Sequence, residues 1–200
     1  MTIRNPKGMT IVEMMVAISI FTIGILGFNA LFMHSWRSNG FIMETAQASR
    51  QAERGINQII RDVREVRQAD DGSFAIKSAG GFDLVVFSNI DGDSAVERVH
   101  YFLDLENDLL KKSITKPVGS PLAYPVAEDS ALVLAEYIVN EESHPLFSYY
   151  DKEGQLLSDP INLADISSVR SVVWVNIKPE IAPENIRLES LIHIRNLSEI

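Results

Sequence analysis

Glu13 is the residue whose type and position most clearly suggest a chemical role. It lies at the start of an apolar run, and the 20 residues from Met14 to Met33 carry no charge. At about 1.5 Å per residue, a helix of that length spans about 30 Å, the thickness of a bilayer's hydrocarbon core. A carboxylate beside such a segment is costly and therefore usually functional. The simpler alternative is a plain signal anchor whose Glu13 lies among the lipid headgroups.

Other residues that could do chemistry are scarce. No Gly-rich phosphate loop, nucleophile motif or zinc-protease spacing is present in the sequence. The four histidines are scattered: His34, His100, His144 and His193. Asp91, Asp93 and Asp104 could offer oxygen ligands to calcium, but there is no EF-hand loop, and a hairpin turn is the simpler interpretation. We therefore expect no catalytic residue, no metal, no cofactor and no enzymatic activity.

Composition narrows the possible partners. The chain has 200 residues, enough for one domain and an anchor, with a net charge of −9 and no cysteine. An acidic chain is a poor candidate for binding nucleic acid, because nucleic-acid-binding proteins are usually basic. The lack of cysteine excludes a disulfide framework and thiolate metal sites.

The residues around Glu13 form a pattern of their own. A leader with Arg4 and Lys7 ends at Gly8, Met9 opens the apolar run, and Glu13 is the fifth residue after that glycine. This pattern resembles the class III signal of type IV pilins and pseudopilins. The resemblance implies that a prepilin peptidase cleaves between Gly8 and Met9 and that the new N-terminus at Met9 is methylated. Met9 departs from the family, which most often has Phe at this position.

The same resemblance gives Glu13 a role in assembly. Cleavage would create a cationic amine at Met9, and an ammonium and a carboxylate at low dielectric each need a partner. The amine and Glu13 are four residues apart and could pair within one helix, or Glu13 could pair with the amine of a neighbouring subunit. The resemblance favours the second arrangement, in which the pair sets the register between subunits.

The apolar run is expected to continue into an amphipathic half. Apolar or small residues recur every three or four positions: Phe41, Thr45, Ala48, Ala52, Ile56, Ile59, Val63 and Val66. Because no proline interrupts this region, the pattern predicts one helix from about Met9 to Ala69, with bends at Gly24, Gly27, Gly40 and Gly55. The predicted divisions are a leader (1–8), a transmembrane half (9–33), an amphipathic half (34–71) and a β-rich head (72–200). A coiled coil is the alternative for the amphipathic half.

Beyond Gly72 the apolar period changes towards two, which predicts strands. The predicted strands are 82–88, 99–105, 109–114, 146–150, 166–177 and 188–194. Residues 131–139 fit either a short helix or a strand, and the end of this segment favours a strand. Residues 163–166 are a possible short helical turn, and residues 116–129 are a loop. The first three strands should form a meander. This order of turns and strands is similar to the J-type subunit of type II secretion and the W-type minor pilins. The fold class predicted is α+β, a long N-terminal helix packed on an antiparallel sheet or two small sheets.

Two functions follow from these features. The first is a minor pilin or pseudopilin, a structural subunit that assembles into, or initiates, a type IV pilus or a type II secretion pseudopilus. The second is a membrane-anchored extracytoplasmic binding or adhesion module. In either case the expected location is the bacterial inner membrane, crossed once, with the head extracytoplasmic because the basic residues precede the helix. The expected partners are prepilin peptidase, other pilin or pseudopilin subunits and membrane lipid, with no nucleic acid.

Overall fold

A single long helix, α1 (Ile11–Arg64), dominates the N-terminal part of the chain. The computed structural model describes residues 8–126, 130–177 and 185–194. It divides into two compact units, Met1–Glu44 and Thr45–Ile200, and α1 contributes residues to both. Arg4, Lys7 and most of the expected leader lie outside the described residues.

The first part of α1 contains the charge-free run from Met14 to Met33. Every residue from Gly8 to Gly40 is exposed. The hydroxyls of Ser19 and Thr22 donate to the carbonyl oxygens of Met15 and Ile18, at 2.8 Å each. These bonds give the two hydroxyls partners within the helix, as a lipid environment requires. Among the described residues, α1 is the one helix long and apolar enough to cross a membrane.

The end of α1 differs from the sequence prediction. The helix stops at Arg64 and not near Ala69, because the following residues pair with a strand. Val66 forms an antiparallel bridge with Ser88, and the amide of Arg67 donates to the carbonyl oxygen of Phe87 at 2.9 Å. Apolar spacing alone cannot separate these alternatives, since Val66 fits both the helical stripe and the extended segment.

The rest of the described chain forms two antiparallel sheets. One has the order β1-β2-β3-β4-β5 and the other β6-β7-β8. The strands are β1 (Ile76–Ala79), β2 (Asp83–Ser88), β3 (Glu97–Asp104), β4 (Leu109–Thr115), β5 (Leu132–Glu136), β6 (Phe147–Tyr150), β7 (Ser168–Val175) and β8 (Ile186–His193). A short 3-10 helix, Leu163–Asp165, precedes β7. The α+β fold class, the meander and the short helical turn are thus confirmed.

Several local predictions need correction or completion. β1 was not predicted, and the ambiguous segment 131–139 contains strand β5. The predicted loop 116–129 has no named strand in its described part, 116–126, although Val118 and Ala123 form an isolated bridge. Residues 127–129 lie outside the described residues. β7 is shorter than predicted and ends at Val175.

One core joins the outer part of α1 to both sheets. Ala52, Ile59 and Val63 on the helix are fully buried in the same cluster as Leu84 of β2 and Val173 of β7. Buried apolar area stabilises a fold by roughly 25 cal/mol per Å², so this stripe contributes to the stability of the β-rich unit. The stripe is therefore a packing surface under the sheets within one chain.

A buried polar group connects the helix to the larger sheet. One carboxylate oxygen of Asp62 on α1 accepts from the Tyr101 hydroxyl of β3 and from the Lys112 ammonium of β4, the latter at 2.5 Å. The Lys112 side chain is fully buried, and its ammonium also lies 5.5 Å from the centre of the Tyr101 ring. Burial, followed by the Asp62 charge, raises the pKa of Tyr101 far above its ordinary value. The hydrogen bonds of Tyr101 and Lys112 to Asp62 therefore fix which turn of α1 faces β3 and β4.

Candidate functional site

The functional segment predicted from sequence is the start of α1, and its geometry centres on Thr10 and Glu13. The Glu13 Oε2 atom accepts from the Thr10 amide at 2.9 Å and from the Thr10 hydroxyl at 3.0 Å. The Glu13 amide donates to Thr10 Oγ1 at 3.2 Å. This is a reciprocal capping box, in which two side chains satisfy amides that have no partner within the helix.

The capping box is compatible with cleavage after Gly8. Its donor is the amide of Thr10, which stays bonded to Met9 when the Gly8–Met9 peptide bond is cut. Both hydrogen bonds to the Glu13 carboxylate are accepted by Oε2, and Oε1 has no partner among the described residues. Glu13 can therefore hold the first helical turn and still offer one carboxylate oxygen to a cation.

Thr10 was missed by the sequence analysis, although a signal for it exists. A Thr or Ser followed three residues later by Glu, just before an apolar run, is the sequence signature of a helix start. Residues 10–13 read Thr-Ile-Val-Glu. The prediction placed the helix start at about Met9, two residues before the observed start at Ile11.

Gly8 and Met9 precede the helix and are exposed. A Cβ atom added at Gly8 would have no heavy atom within 4 Å. The fold therefore places no steric demand for glycine at this position. A requirement for Gly8 would have to come from a peptidase that binds this segment, and the cleavage site remains a prediction.

Of the three aspartates considered as calcium ligands, Asp91 and Asp93 lie close together, and Asp104 is not part of their group. Asp104 is held by Lys111 and Asn107, and these hydrogen bonds lower its pKa to about 2. Asp91 and Asp93 instead lie near Glu97, whose side chain is buried. Glu97 was not among the predicted candidates.

Lys116 supplies the positive charge for this acidic turn. Its ammonium lies 2.5 Å from Asp91, 3.3 Å from Asp93 and 3.6 Å from Glu97. The hydrogen bond from Lys116 lowers the pKa of Asp91, and the two aspartates raise that of Lys116. One ammonium therefore faces three carboxylates and offsets part of their negative charge. Among the described residues, this is the one group of three or more potential ligands close enough to share an ion, and it contains no histidine.

Comparison with known proteins bears on the N-terminus. Residues 3–28 match the family model described as the prokaryotic N-terminal methylation motif. A search among curated proteins found no match. The chain thus carries the N-terminal signature of type IV pilins and pseudopilins, a structural class that is anchored by a single apolar helix. The match covers the segment that contains Gly8, Met9, Thr10 and Glu13 but does not extend to the β-rich head.

Proposed function

We propose that this protein is a minor pilin or pseudopilin, a structural subunit that is processed at Gly8–Met9 and assembles with other subunits through Glu13. The observation that supports the proposal best is the arrangement at the helix start. A carboxylate lies at the fifth position after the glycine, at the head of an exposed apolar helix, and has one oxygen available for a cation. Cleavage supplies that cation on a neighbouring subunit as the amine of Met9.

The pairing explains why a carboxylate is present in an apolar segment. A charge at low dielectric is tolerated when an opposite charge and hydrogen bonds compensate it. Thr10 supplies the hydrogen bonds, and the amine of the next subunit would supply the charge. A buried polar pair of this kind favours one register, because any other stagger breaks the pair between the two subunits.

The test must separate the charge of Glu13 from its capping role. Glu13→Gln keeps an oxygen that can accept from the Thr10 amide but removes the charge, whereas Thr10→Ala removes the cap and keeps the charge. We expect Glu13→Gln to insert and to be cleaved but to lose most co-purification with partner pilins at matched membrane levels. Thr10→Ala should retain most of it.

The reverse pattern would show that Glu13 acts as a helix cap and not as a charge. If Glu13→Gln, Glu13→Ala and the wild type all recover equal amounts of partner subunits, the assembly role is wrong. The chain would then be better described by the second function, a membrane-anchored binding or adhesion module. Crosslinking to the partner subunits would in addition report whether the protein lies at a tip or along a shaft, since a tip subunit has neighbours on one side.

A further inference from the structure

The outward face of the smaller sheet carries a hollow of about 370 Å³ with a cationic lining. Its lining residues include Arg170, Val172 and Trp174 of β7, Arg187 of β8, Ser148 of β6, and His144, which precedes β6. We call this feature the Trp174 hollow. No carboxylate is among the described residues that line it, although the whole chain has a net charge of −9.

Two guanidinium groups at the hollow share one carboxylate. Arg170 Nε lies 2.5 Å from Glu189 Oε1, and Arg187 Nη2 lies 2.5 Å from Glu189 Oε2. The contact between Arg170 Nε and Glu189 is an ion pair and not a directed hydrogen bond, so the buried Nε–H has no hydrogen-bond acceptor among the described residues. Arg170 Nη1 donates to the Tyr150 hydroxyl at 3.1 Å. These three charged side chains therefore leave one positive charge in excess beside the hollow.

Aromatic rings hold the cationic wall in place. The Arg187 guanidinium lies 5.7 Å from the centre of the Trp174 ring, and the His144 ring meets Trp174 edge-on at 5.2 Å. A guanidinium stacked in this way loses less freedom when it binds an anion, because its orientation is already restricted. The planar Trp174 ring also offers an apolar surface to the carbon atoms of a ligand.

We propose that the Trp174 hollow binds a carboxylate group, with Arg187 and Arg170 as the donors and Trp174 as the apolar wall. Guanidinium groups bind carboxylates through paired, charge-assisted hydrogen bonds. The carboxylate can come from a small organic acid or from an Asp or Glu side chain of another polypeptide. This inference does not depend on the role of Glu13 in assembly.

Trp174 provides a direct signal for the test. The chain has two tryptophans, so Trp36→Phe leaves Trp174 as the single fluorescent indole. The detergent-solubilised full chain with this substitution is titrated at constant ionic strength with propionate and with the peptide acetyl-Ala-Glu-Ala-amide. Propionamide and acetyl-Ala-Gln-Ala-amide are the neutral controls. We expect saturable changes with the acids alone.

Two further substitutions should move the affinity in opposite directions. Arg187→Gln should weaken carboxylate binding by about tenfold, as expected for the loss of a hydrogen bond from a charged group. Glu189→Gln should strengthen binding, because it removes the internal competitor for both guanidinium groups. Arg54→Gln, an exposed arginine on α1, is the control for a general change of charge. Circular dichroism verifies that each variant is folded.

The outcomes separate the two sources of carboxylate. Binding of the acidic peptide at a lower concentration than propionate would indicate a polypeptide segment, and the opposite order would indicate a small acid. The proposal is overturned if neither acid gives a saturable change. It is also overturned if Arg187→Gln and Glu189→Gln bind as Arg54→Gln does.

Discussion

Glu13 combines two properties that a substitution by alanine removes together, a hydrogen-bond acceptor and a negative charge. The structure shows the first property directly, in the bonds between Oε2 and Thr10. The sequence suggested the second, through its position after Gly8 and before a charge-free run. Glu13 was predictable from its place before the charge-free run, whereas its partner Thr10 is marked only by the Thr-x-x-Glu spacing of a helix start, which the prediction did not include.

Gly8 gives the first prediction at the residue scale. Its surroundings are open, so Gly8→Leu should leave the fold of the chain unchanged. A peptidase that cuts after a glycine in a narrow active site should cleave this variant much more slowly than the wild type. Intact-mass analysis of membrane-extracted protein measures both cleavage after Gly8 and methylation of Met9.

The control is the wild type expressed with and without a prepilin peptidase. A full-length wild-type chain in the presence of active peptidase would contradict the predicted cleavage site. Equal cleavage of Gly8→Leu and wild type would show that the glycine itself is not recognised.

The buried pair of Asp62 and Lys112 gives the second prediction. Removing one partner leaves an uncompensated charge in the core, so Lys112→Met should lower the free energy of unfolding by about 3–5 kcal/mol. The double variant Asp62→Leu with Lys112→Met removes both charges and should recover much of that loss. Urea unfolding of the three proteins measures the difference.

Tyr101 makes this comparison more informative. Its hydroxyl donates to the same Asp62 oxygen as Lys112, so the double variant also removes the acceptor for Tyr101. Adding Tyr101→Phe to the double variant should therefore restore further stability. A double variant that is no more stable than Lys112→Met alone, with or without Tyr101→Phe, would contradict this account.

At the scale of elements, the helix and most strands were predictable because their apolar periods are regular. The helical stripe from Ala48 to Val63 is buried as predicted, and β2, β3 and β4 form the predicted meander. The end of α1 was not predictable, because Val66 suits either a helical stripe or a bridge to Ser88. β1 is four residues long with an irregular register against β2, which is too short for a periodic signal.

The pairing of distant elements could not be read from the sequence either. Asp62 and Lys112 are 50 residues apart, and nothing local indicates that they meet. Likewise, Arg170 and Arg187 share the carboxylate of Glu189 because of the register between β7 and β8. In that register Arg170 lies opposite Leu191, and Trp174 lies opposite Arg187. Such sites depend on strand register, and single-sequence patterns determine the strands better than their register.

Gly55 tests the packing of α1 on the larger sheet. Gly55 is buried on α1, and an added Cβ would lie 3.4 Å from Leu134 Cβ and 3.5 Å from Leu110 Cδ2. These are ordinary contact distances. Gly55→Ala should therefore be neutral or raise the free energy of unfolding by up to about 1 kcal/mol, because alanine favours the helix.

A larger residue at the same position should have the opposite effect. Gly55→Leu forces side-chain atoms into the space of Leu134 and should cost about 1–3 kcal/mol through overpacking. Thermal or urea unfolding of both variants measures the effect. A strongly destabilised Gly55→Ala, or a neutral Gly55→Leu, would show that the helix does not lie as closely on β4 and β5 as described.

At the scale of the whole molecule, the lack of cysteine allows a direct test of membrane orientation. The basic residues Arg4 and Lys7 precede the apolar helix, so we expect the β-rich unit on the extracytoplasmic side. Glu153 lies in an exposed turn between β6 and β7, and Glu153→Cys creates a single thiol. A membrane-impermeant maleimide should label this thiol in cells whose inner membrane is intact, after the outer membrane has been opened where there is one.

The control is the wild-type chain, which has no thiol and should stay unlabelled. Labelling of Glu153→Cys that appears only after the inner membrane is permeabilised would place the β-rich unit in the cytoplasm. That result would contradict both proposed functions, since each requires the head outside the cytoplasm.

The last prediction concerns which part of α1 belongs to the β-rich unit. The structure divides the chain between Glu44 and Thr45, and the buried helical residues Ala48, Ala52 and Val63 all follow that point. Residues before it include the whole charge-free run and contribute none of the buried core. A chain that starts at residue 45 should therefore be soluble, monomeric and folded, as shown by circular dichroism, light scattering and resistance to proteolysis. A chain that starts at residue 65 should unfold or aggregate, because it leaves the core face of both sheets uncovered.

If both truncated chains fold equally well, the stripe on α1 is not part of the core. If neither folds, the membrane-facing part of the helix is needed for folding, and the two units cannot be treated as independent.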